Sequence, residues 1–449
     1  MGNISTKPRL LLFQPPIYDF ALFDLFLKPY GLLRLGRWFE ESGYEVFFVN
    51  GLDYNDKETN SLLGKPRRYS NGTGKFPRMR IPLPHGVDSE RSFGRYGVLA
   101  DILKRKVKDA NPDIIFVTSG MTYWYKGVVE AVGICKELFP EIPVLTGGIY
   151  ANLMPDHCKV STGADYVVTG NVEESIKTVF KAHSLPVPTG EIPKGPLMLE
   201  EVWKDAGVLR LNEGCPFHCD YCASDLLCKK FIKGNAEIAF EALLEMHGRF
   251  GTSNFAFYDD ALLVNSEQSI KPFLELIIQK DLQLKFYLPN AVHLQFLDKD
   301  TAFLMKRAGF QEIRLGYESS SRDFHTDYDD KFEEDDLFRV VETLESAGFS
   351  KNKITAYVLG GLPSQQWKDV EGSIKTAAST GIRVSLAEYS PVPRTPLWGK
   401  SMELCSFPLD KEPLFHNNSF FPMKWDCYTL ENMKYLKSLV QKLNMDPGS

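Results

Sequence analysis

Three cysteines stand close together in the stretch NEGCPFHCDYCASDLLC, which spans residues 212–228. Cys215, Cys219 and Cys222 are separated by three and then two residues, so a single tight loop can aim three sulfurs at one centre. Thiolates bind soft metals, including zinc and the iron of iron–sulfur clusters. The spacing therefore predicts that these three cysteines are the ligands of a metal centre.

The number of cysteines helps to distinguish a zinc site from an iron–sulfur cluster. A structural zinc site needs four ligands, typically from two CxxC pairs, and the sequence contains no second pair. His218 or Cys228 could supply a fourth ligand, so zinc or a fully ligated electron-transfer cluster stays open as an alternative. Three thiolates on a 4Fe-4S cluster would instead leave one iron open to a substrate or cofactor.

Length and composition bound the class of protein. The chain has 449 residues, of which 43% are hydrophobic and 24% are charged, and its net charge is −6. This balance is typical of a globular protein with two or three domains, and it excludes the disordered and fibrous classes. The mild negative charge gives no general attraction to nucleic acid, so we expect no nucleic-acid partner.

The N-terminus and the cysteine content bear on the cellular compartment. The apolar run at residues 10–13 is far shorter than a signal-peptide core or a membrane span. Eight cysteines in 449 residues are too few and too unevenly placed for a secreted disulfide framework. We therefore expect a cytoplasmic protein that does not span a membrane.

The first 184 residues alternate β-rich and helical patterns. The β-rich runs lie at residues 9–13, 44–50, 113–119, 142–148 and 164–170. This alternation predicts an α/β fold that begins with a doubly wound, Rossmann-like sheet over residues 1–184. Residues 51–97 fit neither period and are interpreted as an insertion, either a functional excursion or a solvated loop. The proline-rich residues 185–196 predict a linker.

A second domain is expected over residues 197–399. Its β-rich runs lie at residues 207–212, 254–260, 284–290, 312–319, 354–361 and 384–391. Six β-α repeats with polar residues at the strand ends predict a partial (β/α)6 barrel of the TIM type, with its site at the C-terminal rim. Residues 400–449 form a C-terminal segment with an amphipathic helix after Thr429. Cys405 and Cys427 in this segment are structural thiols or the ligands of an auxiliary cluster.

The motif Cys215-Pro-Phe-His-Cys219-Asp-Tyr-Cys222 follows the first strand of these six repeats. In this position it resembles the signature of the radical S-adenosylmethionine (radical SAM) enzymes, with Tyr221 as the aromatic residue before the last cysteine. The resemblance covers about residues 197–400. It implies a 4Fe-4S cluster on the three cysteines, SAM bound to the open iron, and a 5′-deoxyadenosyl radical that abstracts hydrogen from an unactivated carbon.

The same resemblance implies SAM contacts at the other strand ends. Asp260 would pair with the ammonium of SAM, and capping of the next helix is the alternative for this residue. Glu318 would accept from the ribose hydroxyls, on one strand face with Arg314, for which a surface ion pair is the alternative. Glycines at 360–361 would let the backbone approach a flat ligand. The implied SAM-binding residues are Tyr221, Tyr258, Asp259, Asp260, Arg314, Glu318, Gly360 and Gly361.

A Rossmann-like half before such a barrel resembles the cobalamin-binding domain of the cobalamin-dependent radical SAM enzymes. Residues 117–127 and 145–157 match the loops that flank the corrin ring and its nucleotide tail in that family. The implied cobalamin-binding residues are Ser119, Met121, Thr122, Tyr123, Gly147, Gly148, Ile149, Tyr150 and Gly170. The DxHxxG motif that donates a histidine to cobalt is absent, so cobalt would have no protein ligand. Core packing of the aromatic residues 123–125 and a generic tight turn at 147–148 are the alternatives.

These resemblances imply a cobalamin-dependent radical SAM methyltransferase that methylates an unactivated carbon. Two other functions stay open. One is a radical cyclisation, rearrangement, oxidation or carbon–carbon coupling without methyl transfer, and the other is a cobalamin- or redox-sensing binding protein. The expected partners are a small-molecule, lipid or peptide substrate and an electron donor such as flavodoxin or ferredoxin.

Overall fold

The structure is a computed structural model that describes residues 7–331, 336–422 and 424–445. The chain divides into two compact units. The first unit consists of Met1–Leu199 with Lys411–Leu414, and the second of Glu200–Asp410 with Phe415–Ser449. Among the described residues, no helix combines the length and the apolar character needed to cross a membrane.

A five-stranded parallel sheet forms the centre of the first unit. The strands of this unit are β1 (Arg9–Gln14), β2 (Ile17–Asp19), β3 (Glu45–Asn50), β4 (Arg78–Arg80), β5 (Gly94–Tyr96), β6 (Ile114–Ser119), β7 (Val144–Gly148) and β8 (Tyr166–Val167). The parallel sheet has the order β3-β1-β6-β7-β8. The order reverses between β1 and β6, and doubly wound folds bind their ligands beyond the carboxyl ends of the strands at such a point.

Helices cover both faces of this sheet. They are α1 (Tyr30–Glu41), α2 (Lys57–Leu63), α3 (Ala100–Ala110), α4 (Tyr125–Leu138), α5 (Ile149–Leu153), α6 (Pro155–Thr162) and α7 (Val172–Ala182). Successive residues of β1 enter different cores because side chains alternate along a strand. Leu11 and Phe13 pack with α3 and α4, whereas Leu10 and Leu12 pack with α1 and α7. The parallel sheet expected in this half is confirmed.

Residues 51–97, interpreted as an insertion, contain regular structure, and a functional role for them stays a prediction. They contain α2, β4 and β5, and β5 pairs antiparallel with both β2 and β4. In β5, Arg95 is buried and forms an ion pair with Glu130 of α4 at 2.6 Å. Strands of three residues are too short to show an alternating pattern, which is why the sequence did not reveal them.

The proline-rich residues 185–196 lie along α1. Three side chains of that helix donate to backbone oxygens of this segment: Trp38 to Thr189 at 2.7 Å, Arg34 to Pro193 at 2.7 Å and Tyr30 to Lys194 at 3.0 Å. A segment fixed by repeated hydrogen bonds behaves as part of the first unit, unlike a flexible spacer.

Two three-stranded parallel sheets form the second unit. Its strands are β9 (Gly207–Leu209), β10 (Asn254–Phe257), β11 (Lys285–Tyr287), β12 (Ile313–Glu318), β13 (Ile354–Gly360) and β14 (Arg383–Glu388). Strands β9, β10 and β11 are neighbours in that order, and so are β12, β13 and β14. Two isolated parallel bridges, Phe286 with Phe310 and Val292 with Leu315, join the two sheets. All six predicted β-rich runs therefore form parallel strands in chain order.

Helices alternate with these strands, as the sequence predicted. They are α8 (Glu200–Trp203), α9 (Ser224–Leu227), α10 (Ala236–Phe250), α11 (Ile270–Gln279), α12 (Lys299–Ala308), α13 (Arg322–Tyr328), α14 (Asp336–Ser346), α15 (Trp367–Ser379), α16 (Trp398–Leu404) and α17 (Leu430–Met445). Helix α17 is the helix predicted after Thr429. Its Asn444 side chain donates to the carbonyl of Val384 at 2.8 Å and accepts from the amide of that residue at 2.9 Å. Helix α17 thereby satisfies backbone groups of β14, the last strand of its sheet.

Candidate active site

The three cysteines lie on a loop that leaves β9 and is closed at its base. We call residues 212–234 the cysteine loop. The buried Asn212 accepts from the amide of Gly234 at 3.1 Å, and Glu213 and Ile232 exchange two backbone hydrogen bonds of 3.0 and 2.9 Å. A side chain at Gly234 would overlap the Leu211 carbonyl, so this closure requires glycine there. These contacts fix the base of the cysteine loop at the carboxyl end of β9.

Asp259, predicted to contact SAM, lies at the base of this loop. Its buried carboxylate accepts from the amides of Leu211 at 3.0 Å and Asn212 at 2.5 Å. Burial raises the pKa of Asp259 to about 7, and these two hydrogen bonds and Arg210 oppose that rise. The structure gives Asp259 a positioning role for the cysteine loop, while its contact with SAM stays a prediction.

A buried carboxylate ties the middle of the loop to α13. Asp329 accepts from the hydroxyl of Tyr221 at 2.7 Å and contacts Nδ1 of His325 at 2.7 Å. Nε2 of His325 lies 3.0 Å from the carbonyl of Ser319, just beyond β12. Burial lowers the pKa of His325, but its hydrogen bonds to Asp329 and to the Ser319 carbonyl outweigh burial and raise it overall. The motif's aromatic residue is thus fixed by a His–Asp pair that no sequence pattern indicated.

The first cationic residue after Asp329 in the sequence is Lys331. Its backbone amide donates to Asp329 at 3.2 Å. The ammonium also lies 5.5 Å from the ring centroid of Phe217 and 6.0 Å from that of Tyr221. Sequence reasoning missed Lys331 because a lysine 109 positions after a cysteine carries no local signal.

The geometry of the thiols can be tested against the two kinds of metal centre. Within residues 7–331, 336–422 and 424–445, no three His, Cys, Asp or Glu side chains converge as the ligands of one metal ion would. A zinc ion requires that convergence, whereas each thiolate of a 4Fe-4S cluster binds a different iron. Burial raises the pKa of Cys219 to about 11, and Lys331 opposes this by favouring the thiolate. Three thiols on one loop, each able to bind a different iron, are a donor set that fits a 4Fe-4S cluster.

The residues that could have completed a zinc site have other neighbours. His218 is 77% exposed and lies 3.5 Å from Asp225. The thiol of Cys228 contacts the carbonyl of Lys230 at 3.2 Å. Elsewhere, the thiol of Cys427 contacts the carbonyl of Gln365 at 3.3 Å, and burial raises the pKa of Cys405.

Strand β12 presents the predicted Arg314 and Glu318. Both are partly exposed along with Gly316, as alternation along the strand predicted. Glu318 has a left-handed backbone with φ of 62°, next to a register shift. A non-glycine residue in this conformation needs support from its surroundings, and the role of Glu318 in SAM binding stays a prediction. Burial raises the pKa of Glu318 to about 7, and Lys331 opposes that rise.

Arg314 forms an ion pair, which was the alternative to SAM binding for this residue. Its guanidinium lies 2.7 Å from Glu312 and donates to the hydroxyl of Tyr357 at 3.2 Å. Its predicted contact with SAM stays a prediction, and it would have to share the guanidinium with these partners.

Tyr258 and Asp260 follow β10. The amide of Tyr258 donates to the carbonyl of Leu209 at 2.8 Å, which places this turn beside the start of the cysteine loop. Asp260 does not cap a helix, because the next one, α11, begins at Ile270. Burial raises the pKa of Asp260, and Arg210 opposes that rise. Burial raises the pKa of the Cys215 thiol, and the charge of Asp260 adds to that rise.

The glycines at the end of β13, Gly360 and Gly361, pack against other residues. A side chain at Gly360 would lie 2.8 Å from the hydroxyl of Tyr428. Glycine is therefore required at this position because of Tyr428. The amide of Gly361 donates to Gln365 at 2.8 Å, and its carbonyl accepts from Trp425 at 3.2 Å. Approach of a flat ligand to these glycines stays a prediction.

His293 is a residue that sequence reasoning missed. It follows β11, is 9% exposed, and stacks on Phe217 of the cysteine loop with ring centroids 4.8 Å apart. Its Nδ1 is buried and has no hydrogen-bond partner among the described residues. Burial lowers the pKa of His293 to about 3, and Lys331 adds to this effect. A neutral imidazole with an unsatisfied nitrogen beside the cysteine loop is suited to accept a hydrogen bond from a bound molecule.

In the first unit, β6 and β7 position the residues assigned to cobalamin. The hydroxyl of Ser119 donates to the carbonyl of Gly147 at 2.7 Å and accepts from the amide of Ala151 at 3.2 Å. Gly148 has φ of 102°, and a side chain there would overlap the backbone of Ser119. A side chain at Gly147 would lie 3.8 Å from Val168, at ordinary van der Waals distance, so the structure itself does not require glycine there.

Tyr150 is buried, in contrast to its predicted ligand role. Its hydroxyl lies 2.6 Å from Nδ1 of His157, and its ring lies against Tyr125 with centroids 6.1 Å apart. Tyr125 donates to Glu412 at 3.1 Å. These contacts show why the residue is aromatic without requiring a ligand.

The loop after β6 contains both packed and exposed side chains. Thr122 is buried, and burial also raises the pKa of Tyr123. The indole of Trp124 donates to Asp19 at 2.6 Å, in agreement with the packing alternative for this residue. Met121 is 42% exposed. Three more residues were predicted to bind cobalamin. Gly148 and Gly170 are exposed, and Ile149 is partly buried.

Comparison with known sequences finds methyltransferases. No protein-family model matches the chain. An uncharacterized methyltransferase of Pyrococcus horikoshii is 23% identical over 364 residues, which cover 72% of this chain and 74% of that protein. The cytidylyl-2-hydroxyethylphosphonate methyltransferase of Streptomyces wedmorensis is 19% identical over 297 residues, which cover 52% of this chain and 55% of that protein.

Comparison with solved structures finds radical SAM enzymes. The radical SAM methyltransferase TsrM from Kitasatospora setae, solved with cobalamin and a 4Fe-4S cluster, has a TM-score of 0.67 at 14% identity, over 97% of this chain and 91% of that chain. The cobalamin-dependent enzyme OxsB, solved with aqua-cobalamin and SAM, has a TM-score of 0.57 at 11% identity, over 99% of this chain and 63% of that chain. The chain therefore has the fold of the cobalamin-dependent radical SAM enzymes, and the resemblance predicted from its sequence is confirmed at the level of the fold.

Proposed function

We propose that this chain is a radical SAM enzyme that uses a 4Fe-4S cluster and cobalamin to methylate an unactivated carbon. The observation that carries this proposal is the cysteine loop. Its three thiols lie beyond β9, and buried carboxylates accept hydrogen bonds from the backbone at its base and from Tyr221. Methyltransferases among both the sequence relatives and the solved structures support methyl transfer in particular.

Cys215, Cys219 and Cys222 would hold the cluster. When bound, the cluster supplies the electron that cleaves SAM, and cobalamin supplies the methyl group that is transferred. The chain's own contribution on the cluster side is to fix the loop through Asp259 and to keep polar groups directed at the bound molecules. Loop rigidity matters because ligands that are already in position need no further ordering when the cluster binds.

The polar groups near the cysteine loop divide into two kinds. Asp259 and Asp329 are saturated by protein donors, so we assign them to positioning. Asp260 and Glu318 have pKa values raised by burial, which indicates carboxyls in a poorly hydrated site. We assign Asp260 and Glu318, together with Tyr221, Tyr258 and the unsatisfied His293, to the binding of SAM.

On the cobalamin side we assign ligand contact to Met121, Gly147, Gly148, Ile149 and Gly170. These positions are exposed or partly exposed, and the side-chain methyl of Met121 offers an apolar surface. Ser119, Thr122 and Tyr150 lie in the internal contacts of the first unit and would shape the crevice from beneath.

We further propose that the six parallel strands of residues 197–399 form the partial barrel of this fold, with residues 1–184 as the cobalamin-binding domain. A one-electron donor of the flavodoxin or ferredoxin class would reduce the cluster in the cytoplasm. The substrate would be a small molecule, lipid or peptide.

Anaerobic reconstitution with iron, sulfide and hydroxocobalamin tests the proposal, with gel filtration followed by counts of iron and cobalt. We expect about four irons and stoichiometric cobalt in the wild type, and loss of iron alone in Cys219→Ser. With a chemical reductant and SAM, the loaded protein should form both 5′-deoxyadenosine and S-adenosylhomocysteine. 5′-Deoxyadenosine without S-adenosylhomocysteine would favour a radical reaction without methyl transfer. No cleavage of SAM at all would favour a sensing protein.

A further inference from the structure

One segment of the first unit has a charge opposite to that of the rest of the chain. Residues 64–87 contain six lysines and arginines and no aspartate or glutamate. Because the whole chain has a net charge of −6, the residues outside this segment carry −12. A basic segment in an acidic chain attracts an anionic partner to one place on the surface.

Two cations of this segment lie beside a pair of exposed aromatic rings. Tyr69 and Phe23 are 46% and 47% exposed, and their ring centroids lie 6.2 Å apart. The guanidinium of Arg67 lies 5.0 Å from the ring centroid of Tyr69, and the amide of Lys75 donates to the carbonyl of Arg67 at 2.8 Å. Arg67 and Lys75 are both exposed. We call Phe23, Arg67, Tyr69 and Lys75 the aromatic–basic patch.

Neighbouring residues hold this patch in place. Asp24, next to Phe23, exchanges two backbone hydrogen bonds of 2.7 and 3.1 Å with Gly74. Its carboxylate is buried and forms an ion pair with Arg68 at 2.7 Å. The guanidinium of Arg68 lies 3.6 Å from the ring centroid of the buried Tyr54. Rings and charges that are already ordered lose little entropy when they bind a partner.

We propose that the aromatic–basic patch docks the protein onto the surface of an anionic lipid membrane. Lysine and arginine are attracted to anionic headgroups, and exposed aromatic side chains bury their rings at the boundary between headgroups and acyl chains. The paired rings favour a membrane over a soluble polyanion, which offers charge without an apolar layer. This inference is independent of the proposed function, since the patch needs neither cluster nor cobalamin.

Co-sedimentation of the full chain with lipid vesicles tests the proposal. We expect binding to vesicles of phosphatidylcholine and phosphatidylglycerol in equal parts, much weaker binding to phosphatidylcholine alone, and a loss of affinity as salt screens the charges. The double variant Arg67→Gln/Lys75→Gln should bind the mixed vesicles about thirtyfold more weakly, because two cations are lost from an anionic surface. Tyr69→Ser removes a ring but no charge and should weaken binding about tenfold.

A second exposed pair of an arginine and an aromatic ring provides the matched controls. Phe303 of α12 is 53% exposed, and the guanidinium of Arg307 lies 5.6 Å from its ring centroid. Lys280 is also exposed. Phe303→Ser and Arg307→Gln/Lys280→Gln remove the same kinds of groups from the second unit, so both should bind the mixed vesicles like the wild type.

No binding of the wild type to the mixed vesicles would overturn the inference, and so would an equal loss of binding in the control variants. Weaker binding of Arg67→Gln/Lys75→Gln with unchanged binding of Tyr69→Ser would also overturn it, because that pattern indicates a soluble acidic partner that needs only the charges. Far-UV circular dichroism checks that each variant is folded. If Tyr69→Ser is unfolded, Phe23→Ser removes the neighbouring ring and takes its place in the test.

Discussion

The two units carry different kinds of side chain at the carboxyl ends of their parallel strands. Beyond β9 to β12, charged and polar side chains surround the cysteine loop, and buried carboxylates bond to its backbone and to Tyr221. Beyond β6 and β7, the polar side chains of Ser119 and Tyr150 bond within the first unit, and glycines and Met121 form the exposed surface.

This difference agrees with the ligands proposed for the two regions. A charged cluster with SAM needs ligands and hydrogen bonds at defined atoms, which only side chains of particular types supply. A large flat cofactor whose metal has no protein ligand needs space and backbone, which glycines supply. Ligand binding by the second unit should therefore be sensitive to the loss of single atoms, and ligand binding by the first unit to added side-chain volume. Five predictions test this contrast.

The largest effect is expected from the cysteines. Replacement of Cys215, Cys219 or Cys222 by serine should abolish iron binding and the formation of 5′-deoxyadenosine, because serine oxygen is a poor ligand for iron in such clusters. Iron analysis after anaerobic reconstitution measures this. Cys405→Ser and Cys427→Ser are the controls and should retain full iron. Loss of iron in either control would indicate an auxiliary cluster in the C-terminal segment.

The next effect concerns the scaffold of the cysteine loop. At pH 5 the folded Asp259 carboxyl is protonated, because burial raises its pKa to about 7, and both of its oxygens can still accept from an amide. Asp259→Asn replaces one oxygen with a nitrogen that cannot accept, so it should lower the free energy of unfolding by about 1–3 kcal/mol at this pH. Urea unfolding of the cluster-free chain measures this, with the exposed Asp323→Asn as the control. A loss below about 0.5 kcal/mol would show that the two hydrogen bonds at the base of the loop contribute little.

The same variant should change the dependence of stability on pH. Burial raises the pKa of Asp259 to about 7, whereas in the unfolded chain it is about 3.9. The folded chain thus holds a proton that the unfolded chain has lost, and its stability falls as the pH rises from about 4 to 7. Between pH 5 and pH 8 the wild type should lose at least about 1.4 kcal/mol relative to Asp259→Asn, the equivalent of one pKa unit. A constant difference between the two proteins would contradict this.

A smaller effect is expected at His293. His293→Phe keeps the stacking on Phe217 but removes the unsatisfied nitrogen, so a bound molecule would lose one hydrogen bond, or about tenfold in affinity. Calorimetry with SAM and the reconstituted protein measures this. Phe296→Leu, which changes a neighbouring ring without removing a polar atom, is the control. Unchanged affinity with full iron would assign the nitrogen to something other than SAM.

The smallest effect on the protein itself is expected at Gly147. Gly147→Ala adds one methyl group at ordinary van der Waals distance from Val168, 3.8 Å, so the free energy of unfolding of the ligand-free chain should stay within about 0.5 kcal/mol of the wild type. Retention of cobalt should nevertheless fall if the cofactor passes this glycine. Gly133→Ala, with no atom within 4 Å of the added methyl, is the control. Equal cobalt retention in both variants would remove Gly147 from the cofactor site.

Much of the fold could be read from periodicity, and the exceptions have physical causes. The five β-rich runs of the first half and the six of the second correspond to parallel strands, because buried parallel strands are short continuous apolar runs between helical patterns. Strands β2, β4 and β5 were missed because a strand of three residues has no period. The buried pairing of Arg95 with Glu130, which holds β5, joins residues 35 positions apart and leaves no local signal.

The candidate site divides in the same way. The sequence alone determined the three cysteines, Tyr221 and the alternation of Arg314 and Glu318, since each depends on spacing within one loop or strand. The tertiary structure decided the rest. It placed His293, Asp329 and Lys331 beside the loop, and it gave Asp259 and Gly360 packing and hydrogen-bond roles. Contacts between distant segments arise only when the strands pack side by side, so local order in the chain cannot encode them.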